Sequence, residues 1–434
     1  MTSILLQHGR IIDPHSEFDA VGDLLITDNR IVAIGTVENI PAETETIDCT
    51  DCIVSPGLID IHVHFREPSS GQHEETIATG AAAAAAGGFT TVCTMPNTTP
   101  ATDTPEIITN AIKIAKNVGK CRVLPTGCAT IGRQGKELAP ISEMTKAGAI
   151  AITDDGDVVE DDAMMASVLH AACEADRCFM QHCQNPKLTI GGVMHAGEVQ
   201  EALGYGPWPR EAEESVIARD LALNKNIGCA WHAQHLSSGG SVAIIEAAQQ
   251  AGQRATGEAS PHHLLLTDEA CKTLGTMAKM NPPLRSQKDI ETIKDGIKRN
   301  VITILATDHA PHTQESKDLP FPDASFGIVG IECALALYIK ALIDDDIIDW
   351  PEMLAMMTSN PANLIGRSDL GRLSIGGKAD VTVINPREEW TIMASDFLSP
   401  ARNCPFNGWK VHGRAILTVL GGKITFSQAK TTSC

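Results

Sequence analysis

Several polar side chains stand where short apolar segments end, and their types suit metal binding. The clusters are Asp60-Ile61-His62-Val63-His64, Asp154-Asp155-Gly156, Gln181-His182, Trp231-His232-Ala233-Gln234-His235 and Thr307-Asp308-His309-Ala310-Pro311-His312. His62 and His64 are two residues apart on a predicted strand, so both side chains point to the same face. Imidazole and carboxylate groups are suitable ligands for a divalent metal such as Zn²⁺. One His-x-His motif is weak evidence, but five such clusters are hard to explain as ordinary core or surface histidines.

The segments that carry these clusters alternate with helical patterns through the middle of the chain. The candidate strands are Ile59–His64, Thr90–Met95, Arg122–Thr126, Ala149–Thr153, Cys178–His182, Ile227–His232, Ala255–Glu258 and Ile302–Thr307. Eight strands with helical crossovers predict an α/β fold, a (β/α)₈ barrel whose strands end at one catalytic face. Both ends of the chain carry short β-rich runs separated by turn residues. We therefore expect a barrel over residues 55–373 and a small β-sandwich domain built from residues 1–54 and 374–434.

The composition argues against several other classes of protein. The 434 residues are 43% hydrophobic and carry a net charge of −20. We expect no nucleic-acid partner and no membrane surface, because both need a basic face. The first residues do not resemble a signal peptide, and no apolar stretch approaches the roughly 20 residues of a membrane span. The 13 cysteines are typical of reduced thiols, so we expect a cytoplasmic protein.

Two longer motifs resemble those of the dihydroorotases, a family of the amidohydrolase superfamily. Residues 56–68, PGLIDIHVHFREP, are similar to the family's first-strand signature, and residues 306–312, ATDHAPH, to its second signature. The sequences TMPNT, NPPLR and GGKAD, which begin at residues 94, 281 and 376, also match. The resemblance covers nearly the whole chain and is to the longer bacterial (class I) type.

The resemblance implies a reaction and a metal centre. Family members convert N-carbamoyl-L-aspartate reversibly to L-dihydroorotate and water, a step of de novo pyrimidine (UMP) synthesis. One or two zinc ions per chain are implied, the first held by His62, His64 and Asp308 and the second by His182 and His235. Asp308 would also carry protons between the attacking water and the leaving ring nitrogen.

The group that would bridge two metals departs from the commonest pattern in the superfamily. Many relatives use a carboxylated lysine at the end of strand four, where this chain reads AITDDG over residues 151–156. The resemblance to the longer bacterial type implies an aspartate in that place, and we assign the role to Asp154. Neighbouring residues on a strand point opposite ways, so Asp155 should not share it. The strand boundary predicted from the sequence does not by itself decide between the two.

Substrate carboxylates require local cations in this acidic protein. Arg66 is two residues beyond His64 and can face the same side, and its planar guanidinium suits a carboxylate. The resemblance adds Asn97 and His312 as carboxylate partners and Asn281 as a contact to the pyrimidine ring.

The polar segment Thr313–Phe326 follows the eighth strand and is predicted to be a mobile loop that closes over substrate. We place Phe326 and Gly327, where this segment ends, among the substrate-binding residues. For a set of nearby histidines we favour structural roles, with support behind the metal ligands as the alternative. They are His73, His232, His262 and His263.

Two alternative functions stay open. A hydantoinase or allantoinase opens related cyclic amides, although those relatives usually keep the bridging lysine. The other alternative is an inactive homologue that only scaffolds aspartate transcarbamoylase, although such proteins tend to lose metal ligands. An active enzyme would also form a homo-oligomer, a dimer, and could have aspartate transcarbamoylase as its partner.

Overall fold

The structure is a computed structural model that describes residues 3–68 and 75–428. Its strands are β1 (Ser3–Asp13), β2 (Phe18–Thr27), β3 (Arg30–Gly35), β4 (Thr44–Asp48), β5 (Ile53–Pro56), β6 (Leu58–Val63), β7 (Phe89–Thr94), β8 (Arg122–Pro125), β9 (Phe179–Gln181), β10 (Met194–His195), β11 (Pro207–Trp208), β12 (Trp231–Ala233), β13 (Ala255–Ala259), β14 (Ile304–Leu305), β15 (Val381–Thr391), β16 (Lys410–Leu420) and β17 (Lys423–Ser427). Its α-helices are α1 (Ile77–Ala86), α2 (Pro105–Val118), α3 (Ile141–Ala147), α4 (Asp162–Glu174), α5 (Glu198–Leu203), α6 (Glu211–Asn224), α7 (Gly239–Gln250), α8 (Pro261–Leu265), α9 (Ala270–Leu274), α10 (Gln287–Lys298), α11 (Gln314–Lys317), α12 (Ala334–Tyr338), α13 (Trp350–Met357) and α14 (Ser359–Leu364).

The two ends of the chain form one eight-stranded sheet. Its order is β17-β16-β15-β5-β1-β2-β3, and β4 pairs with β1. The ends meet where β15 runs antiparallel to β5, with Val381 opposite Pro56 and Ile384 opposite Ile53. The β domain predicted from both termini is therefore confirmed. The domain limits at residues 54 and 374 stay a prediction.

Eight parallel segments close a barrel in the middle of the chain. β6, β7 and β8 form one arc, and β9, β12, β13 and β14 form the other. Ile152 joins the arcs through parallel bridges to Gly127 and Phe179. On the opposite side, the His64 amide donates to the His309 carbonyl at 2.9 Å. The predicted barrel is confirmed, with its fourth position held by bridges instead of by a regular strand.

Helices lie between the barrel strands, and their ends follow from local sequence. α2 begins after Thr104, whose side chain accepts a hydrogen bond from the Ile107 amide, and ends at Gly119 in the left-handed conformation. Ile108, Ala111 and Ala115 of α2 are buried. Within the described ranges, the helices are too short or too polar to cross a membrane.

A separate apolar cluster joins two loops that lie far apart in sequence. Phe321 and Val329 come from the connection between β14 and α12, and Phe397 and Phe406 come from the connection between β15 and β16. All four side chains are buried. The cluster therefore attaches the C-terminal segment to the loop that follows the eighth barrel strand.

Candidate active site

One group of metal-type ligands lies where β6 meets the end of β14. The Nε2 atoms of His62 and His64 are 3.4 and 3.0 Å from Asp308 Oδ1. Asp155 completes this group, with its Oδ1 3.3 Å from His62 Nε2 and its Oδ2 3.6 Å from His64 Nε2. All four side chains are buried at the carboxyl ends of barrel strands.

A second group shares the Asp155 carboxylate. His182, just after β9, places its Nδ1 atom 2.8 Å from Nε2 of His235, which follows β12. Asp155 Oδ1 lies 3.7 Å from His182 Nδ1. Asp155, His182 and His235 can therefore hold one ion, while Asp155, His62 and His64 can hold another.

The donor set fits divalent cations. His62 Nε2 and Asp155 Oδ1 are buried and have no hydrogen-bond partner among the described residues. Burying polar atoms without partners is costly, and a cation between them would remove that cost. Four ligands about 2.0–2.1 Å from a tetrahedral zinc are about 3.3 Å from one another. The separations between Asp155 and the surrounding imidazoles, 3.3 to 3.7 Å, match that spacing.

The assignment of the bridging role to Asp154 is corrected by this geometry. Asp154 Oδ1 points away from the imidazoles and accepts hydrogen bonds from the amides of Ala129 and Thr130, at 2.8 and 3.1 Å. Thr153 faces the barrel interior, where its hydroxyl donates to Gln234 at 3.4 Å. Asp155 lies two residues further on and therefore faces the same side as Thr153. The alternation rule was sound, but it was applied in the wrong register.

The surroundings of Asp155 and His235 lower the pKa values of both groups. Burial alone would raise the pKa of Asp155, but the charges of His62, His64 and His182 lower that pKa well below its ordinary value. Burial, together with the charges of His182 and His62, lowers the pKa of His235 well below its ordinary value. An ionised carboxylate and a neutral imidazole are the forms that coordinate metals.

Glu258 on β13 supports the ligands from behind and was not predicted from the sequence. Its Oε1 atom is 2.6 Å from His62 Nδ1, and its Oε2 atom is 3.0 Å from His232 Nε2. The His235 amide also donates to Oε1 at 3.0 Å. A carboxylate on the far nitrogen of a ligating histidine fixes its tautomer and ring orientation. The signal in the sequence was a lone glutamate in the otherwise uncharged strand Ala255–Ala259.

The other histidines near the site lie in different surroundings. His262 and His263 both contact the Ser260 hydroxyl, at 3.0 and 2.8 Å. His309 points away from the cluster and lies 3.2 Å from Glu75 Oε2. His73 lies outside the described residues.

A cavity of about 280 Å³ opens beside the metal-type ligands. All six residues predicted to bind substrate line it, namely Arg66, Asn97, Asn281, His312, Phe326 and Gly327. Asp308 also lines it, together with His64, Asp155, His182 and His235. The cavity therefore brings the predicted substrate contacts and the proton-transfer candidate to one place, while His62 lies deeper in the barrel.

Some of the predicted substrate residues present polar groups to the cavity, while Asn97 also contacts the metal-type ligands. Arg66 Nη2 is 3.3 Å from His312 Nε2, so a cationic fork and an imidazole stand side by side. Asn281 Oδ1 is buried without a hydrogen-bond partner in the described part of the chain, which leaves an acceptor for a ligand. Asn97, by contrast, contacts His64 Nδ1 at 2.9 Å and Asp155 Oδ2 at 3.3 Å. Its amide therefore also orients two metal-type ligands.

Three residues of the site have unusual backbone conformations. The φ angles of Arg66, His235 and Asp308 are 52°, 30° and 48°. Positive φ is uncommon outside glycine, and residues held in such conformations cluster at functional sites. In each case the turn occurs where a barrel strand has just ended and its side chain enters the cavity.

Two buried lysines hold the loop after β14. Lys317 Nζ donates to the carbonyls of Ser325 and Gly327, at 2.9 and 3.1 Å. Lys279 Nζ lies 4.3 Å from the centre of the Phe326 ring. Burial lowers the pKa of Lys317 to about 7 and that of Lys279 to about 8. The base of the loop is thus held by hydrogen bonds, and its closure over substrate stays a prediction.

Comparisons with known proteins agree with this fold. The Dihydro-orotase-like family model matches residues 51–241. The dihydroorotase of Syntrophus aciditrophicus strain SB is 38% identical over 426 residues, which cover 98% of this chain and 99% of that protein. The dihydroorotase of Geobacter sp. strain M21 is 41% identical over 424 residues, with the same two coverages. The structure of L-hydantoinase (dihydropyrimidinase) from Arthrobacter aurescens has a TM-score of 0.89 at 24% identity, covers 99% of this chain and 97% of that one, and shows the shared fold.

The closed barrel, the polar cluster at its carboxyl ends and these similarities define an amidohydrolase, a barrel enzyme that hydrolyses cyclic amides. The identity of about 40% extends over nearly the full length of several relatives. The chain belongs to the dihydroorotase family.

Proposed function

We propose that this protein is a zinc-dependent dihydroorotase that interconverts N-carbamoyl-L-aspartate and L-dihydroorotate in de novo pyrimidine synthesis. The observation that carries the proposal is one cavity in which Asp308 and the metal-type ligands face the Arg66–His312 pair. That combination suits a cyclic amide bearing a carboxylate. A neutral cyclic amide such as hydantoin offers no carboxylate to the Arg66 guanidinium.

The metal would be held by the buried imidazoles and carboxylates of the two groups. His62, His64, Asp155 and Asp308 form the first group, and His182 and His235 share Asp155 in the second. When bound, zinc would polarise the substrate carbonyl and lower the pKa of a water molecule from 15.7 toward about 7. Their mixed nitrogen and oxygen donors support zinc as the ion.

The chain's own groups supply orientation and proton transfer. Arg66 and His312 bind the substrate carboxylate, and the Asn281 amide oxygen accepts a hydrogen bond from a ring N–H. Asp308 takes a proton from the attacking water and gives it to the ring nitrogen as the C–N bond breaks. In ring closure Asp308 accepts the proton from the carbamoyl nitrogen, so one carboxylate serves both directions.

An active enzyme is favoured over an inactive scaffold because the chain retains four histidines and two carboxylates of metal type. We further propose a cytoplasmic homodimer that is able to associate with aspartate transcarbamoylase. Ten described cysteines, all but Cys49 and Cys52, are free thiols, which supports a reducing compartment. Light scattering of the purified chain, alone and with the transcarbamoylase, tests the assembly. A monomer with no association would contradict it.

A substrate panel tests the proposed reaction. The purified chain should open dihydroorotate and close carbamoyl aspartate, and it should act at least about 100-fold less efficiently on hydantoin and allantoin. That ratio corresponds to about 2.7 kcal/mol of discrimination, in the range expected from losing the contact between the substrate carboxylate and Arg66. Higher efficiency on hydantoin would identify a hydantoinase instead, and no turnover of any substrate by metal-loaded protein would contradict the enzyme proposal.

A further inference from the structure

Asn403 belongs to the C-terminal half of the chain but lies directly behind the substrate cavity. It stands in the connection between β15 and β16, and only 2% of its surface is exposed. Neither the sequence motifs nor the metal-type ligands include it. Its side-chain amide nonetheless contacts two segments of the loop after β14 that form the carboxylate end of the cavity.

The side-chain amide of Asn403 forms three hydrogen bonds with these two segments. Its Oδ1 atom accepts a hydrogen bond from the His312 amide at 3.2 Å. Its Nδ2 atom donates to the carbonyls of Ala310 and Gly327, both at 3.0 Å. Two donors and one acceptor thus fasten the segment that ends in His312 to the segment that ends in Gly327. The direction of the bonds fixes the amide orientation, because only the nitrogen can donate to two carbonyls.

The position of Gly327 matters because it sets the space available to the His312 ring. Gly327 has a φ of +147°, and a Cβ atom there would lie 2.6 Å from His312 Cδ2. The glycine backbone therefore packs closely against the imidazole. His312 Nε2 in turn lies 3.3 Å from Arg66 Nη2. The His312 imidazole thus lies between two backbone segments that the Asn403 amide joins. The Ala310 amide also joins these segments by donating to the Ile328 carbonyl at 3.0 Å.

We propose that Asn403 is a positioning residue that holds His312 against Gly327 and so aligns the His312–Arg66 pair for the substrate carboxylate. The identity of the ligand as a substrate carboxylate rests on the proposed function. The claim that Asn403 positions His312 against Gly327 does not. The connection after β14 packs against the connection between β15 and β16 through the buried cluster of Phe321, Val329, Phe397 and Phe406. This packing fixes the position of the Asn403 backbone. The β domain thereby contributes to substrate binding through its C-terminal segment.

The kinetic test compares Asn403→Ala and the milder Asn403→Ser with the control Asn407→Ala. Asn407 lies in the same connection, is exposed, and accepts one hydrogen bond from the Ala394 amide at 2.8 Å. Carboxylate binding is the same in the ground and transition states, so its loss raises KM without lowering kcat. We expect KM for dihydroorotate to rise at least 10-fold in both Asn403 variants, with kcat within about 3-fold of wild type and metal content unchanged. Asn407→Ala should behave as wild type.

An unchanged KM in a folded, metal-loaded Asn403 variant would overturn the inference. So would equal falls in kcat and metal content, because they would mark a general structural role. Hydrogen exchange supplies a readout that needs no substrate. Amides at 310–312 and 325–329 should exchange faster in Asn403→Ser than in wild type or Asn407→Ala, and unchanged protection would overturn the inference.

The same experiments separate this inference from the proposed function. A wild-type chain that does not turn over dihydroorotate would contradict the proposed function. The exchange comparison would still decide whether Asn403 positions the His312 segment.

Discussion

The carboxylates of Asp154 and Asp155 point in opposite directions although the residues are neighbours. Asp155 Oδ1 lies 3.3 Å from His62 Nε2 inside the barrel, while Asp154 Oδ1 accepts a hydrogen bond from the Ala129 amide at 2.8 Å. One carboxylate is available to a cation, and the other holds a loop. Substituting each residue in turn therefore tests whether Asp155 binds the metal and whether Asp154 has only a structural role.

Asp155→Asn and Asp154→Asn should fail in different ways. Asp155→Asn should lose bound metal and ring-closure activity, because the amide no longer supplies an anionic bridge. Asp154→Asn should keep its metal but lose about 1–3 kcal/mol of stability, because one backbone or hydroxyl donor of the 129–130 segment loses its acceptor. Metal analysis and thermal unfolding of both proteins distinguish the outcomes. Loss of metal only in Asp154→Asn would restore the original assignment.

Asp308→Asn should abolish turnover while leaving the fold intact. General acid–base groups contribute roughly 10²–10⁴-fold to rate, and an amide cannot take their place in proton transfer. The rate of ring opening and the far-ultraviolet circular dichroism spectrum should be measured together. A rate near that of wild type would remove Asp308 from the proton-transfer role.

Arg66→Ala should weaken binding of the substrate carboxylate. Removing one partner of a buried charge pair costs roughly 2–5 kcal/mol, which corresponds to a rise in KM of about 30-fold or more. Arg66→Lys is the matched control, since it keeps the charge but not the planar guanidinium. Its KM should fall between those of wild type and Arg66→Ala. If KM is unchanged in the alanine variant, Arg66 does not bind the carboxylate.

Glu258→Gln should lower metal affinity without removing a ligand. Its carboxylate lies 2.6 Å from His62 Nδ1, and loss of such a partner costs about 10–100-fold in affinity. Competition with a chromophoric chelator measures the affinity. Glu246→Gln, at a surface carboxylate paired with Arg299, is the control and should match wild type. Equal affinities in all three proteins would show that Glu258 does not tune the site.

Lys317 should make stability depend on pH above neutrality. Burial and the nearby Lys279 lower the pKa of Lys317 to about 7 from its ordinary value of 10.5. Between these values the unfolded chain binds more protons than the folded one, so stability rises with pH. Wild type should therefore gain stability relative to Lys317→Met between pH 7 and 9.5, by at most about 1.4 kcal/mol per pH unit.

Thermal unfolding across this pH range measures the difference. Lys187→Met, at an exposed side chain, is the control and should give a profile parallel to that of wild type. Parallel profiles for wild type and Lys317→Met would contradict the prediction.

The barrel and most of the site could be predicted because their signals are local. His62, His64, His182, His235 and Asp308 each follow a short apolar strand, and barrel closure brings such strand ends together. The fold class and the terminal β domain are confirmed on that basis.

The remainder depends on register and on distant contacts. The segment before Asp154 forms bridges at Ile152 but no regular strand, so the sequence did not reveal which aspartate faces inward. Glu258 looks like any strand residue until His62 is seen beside it. Asn403 acts through backbone groups of a loop that precedes it by many residues, and no spacing rule connects the two.

Metal content per chain, measured beside the rate of ring closure on carbamoyl aspartate, tests the account most directly. The purified protein should carry one or two zinc ions, lose activity in proportion as a chelator removes them, and recover when zinc is returned. Full activity in protein stripped of metal would contradict the central claim that the His62–His64 and His182–His235 groups work as one metal centre.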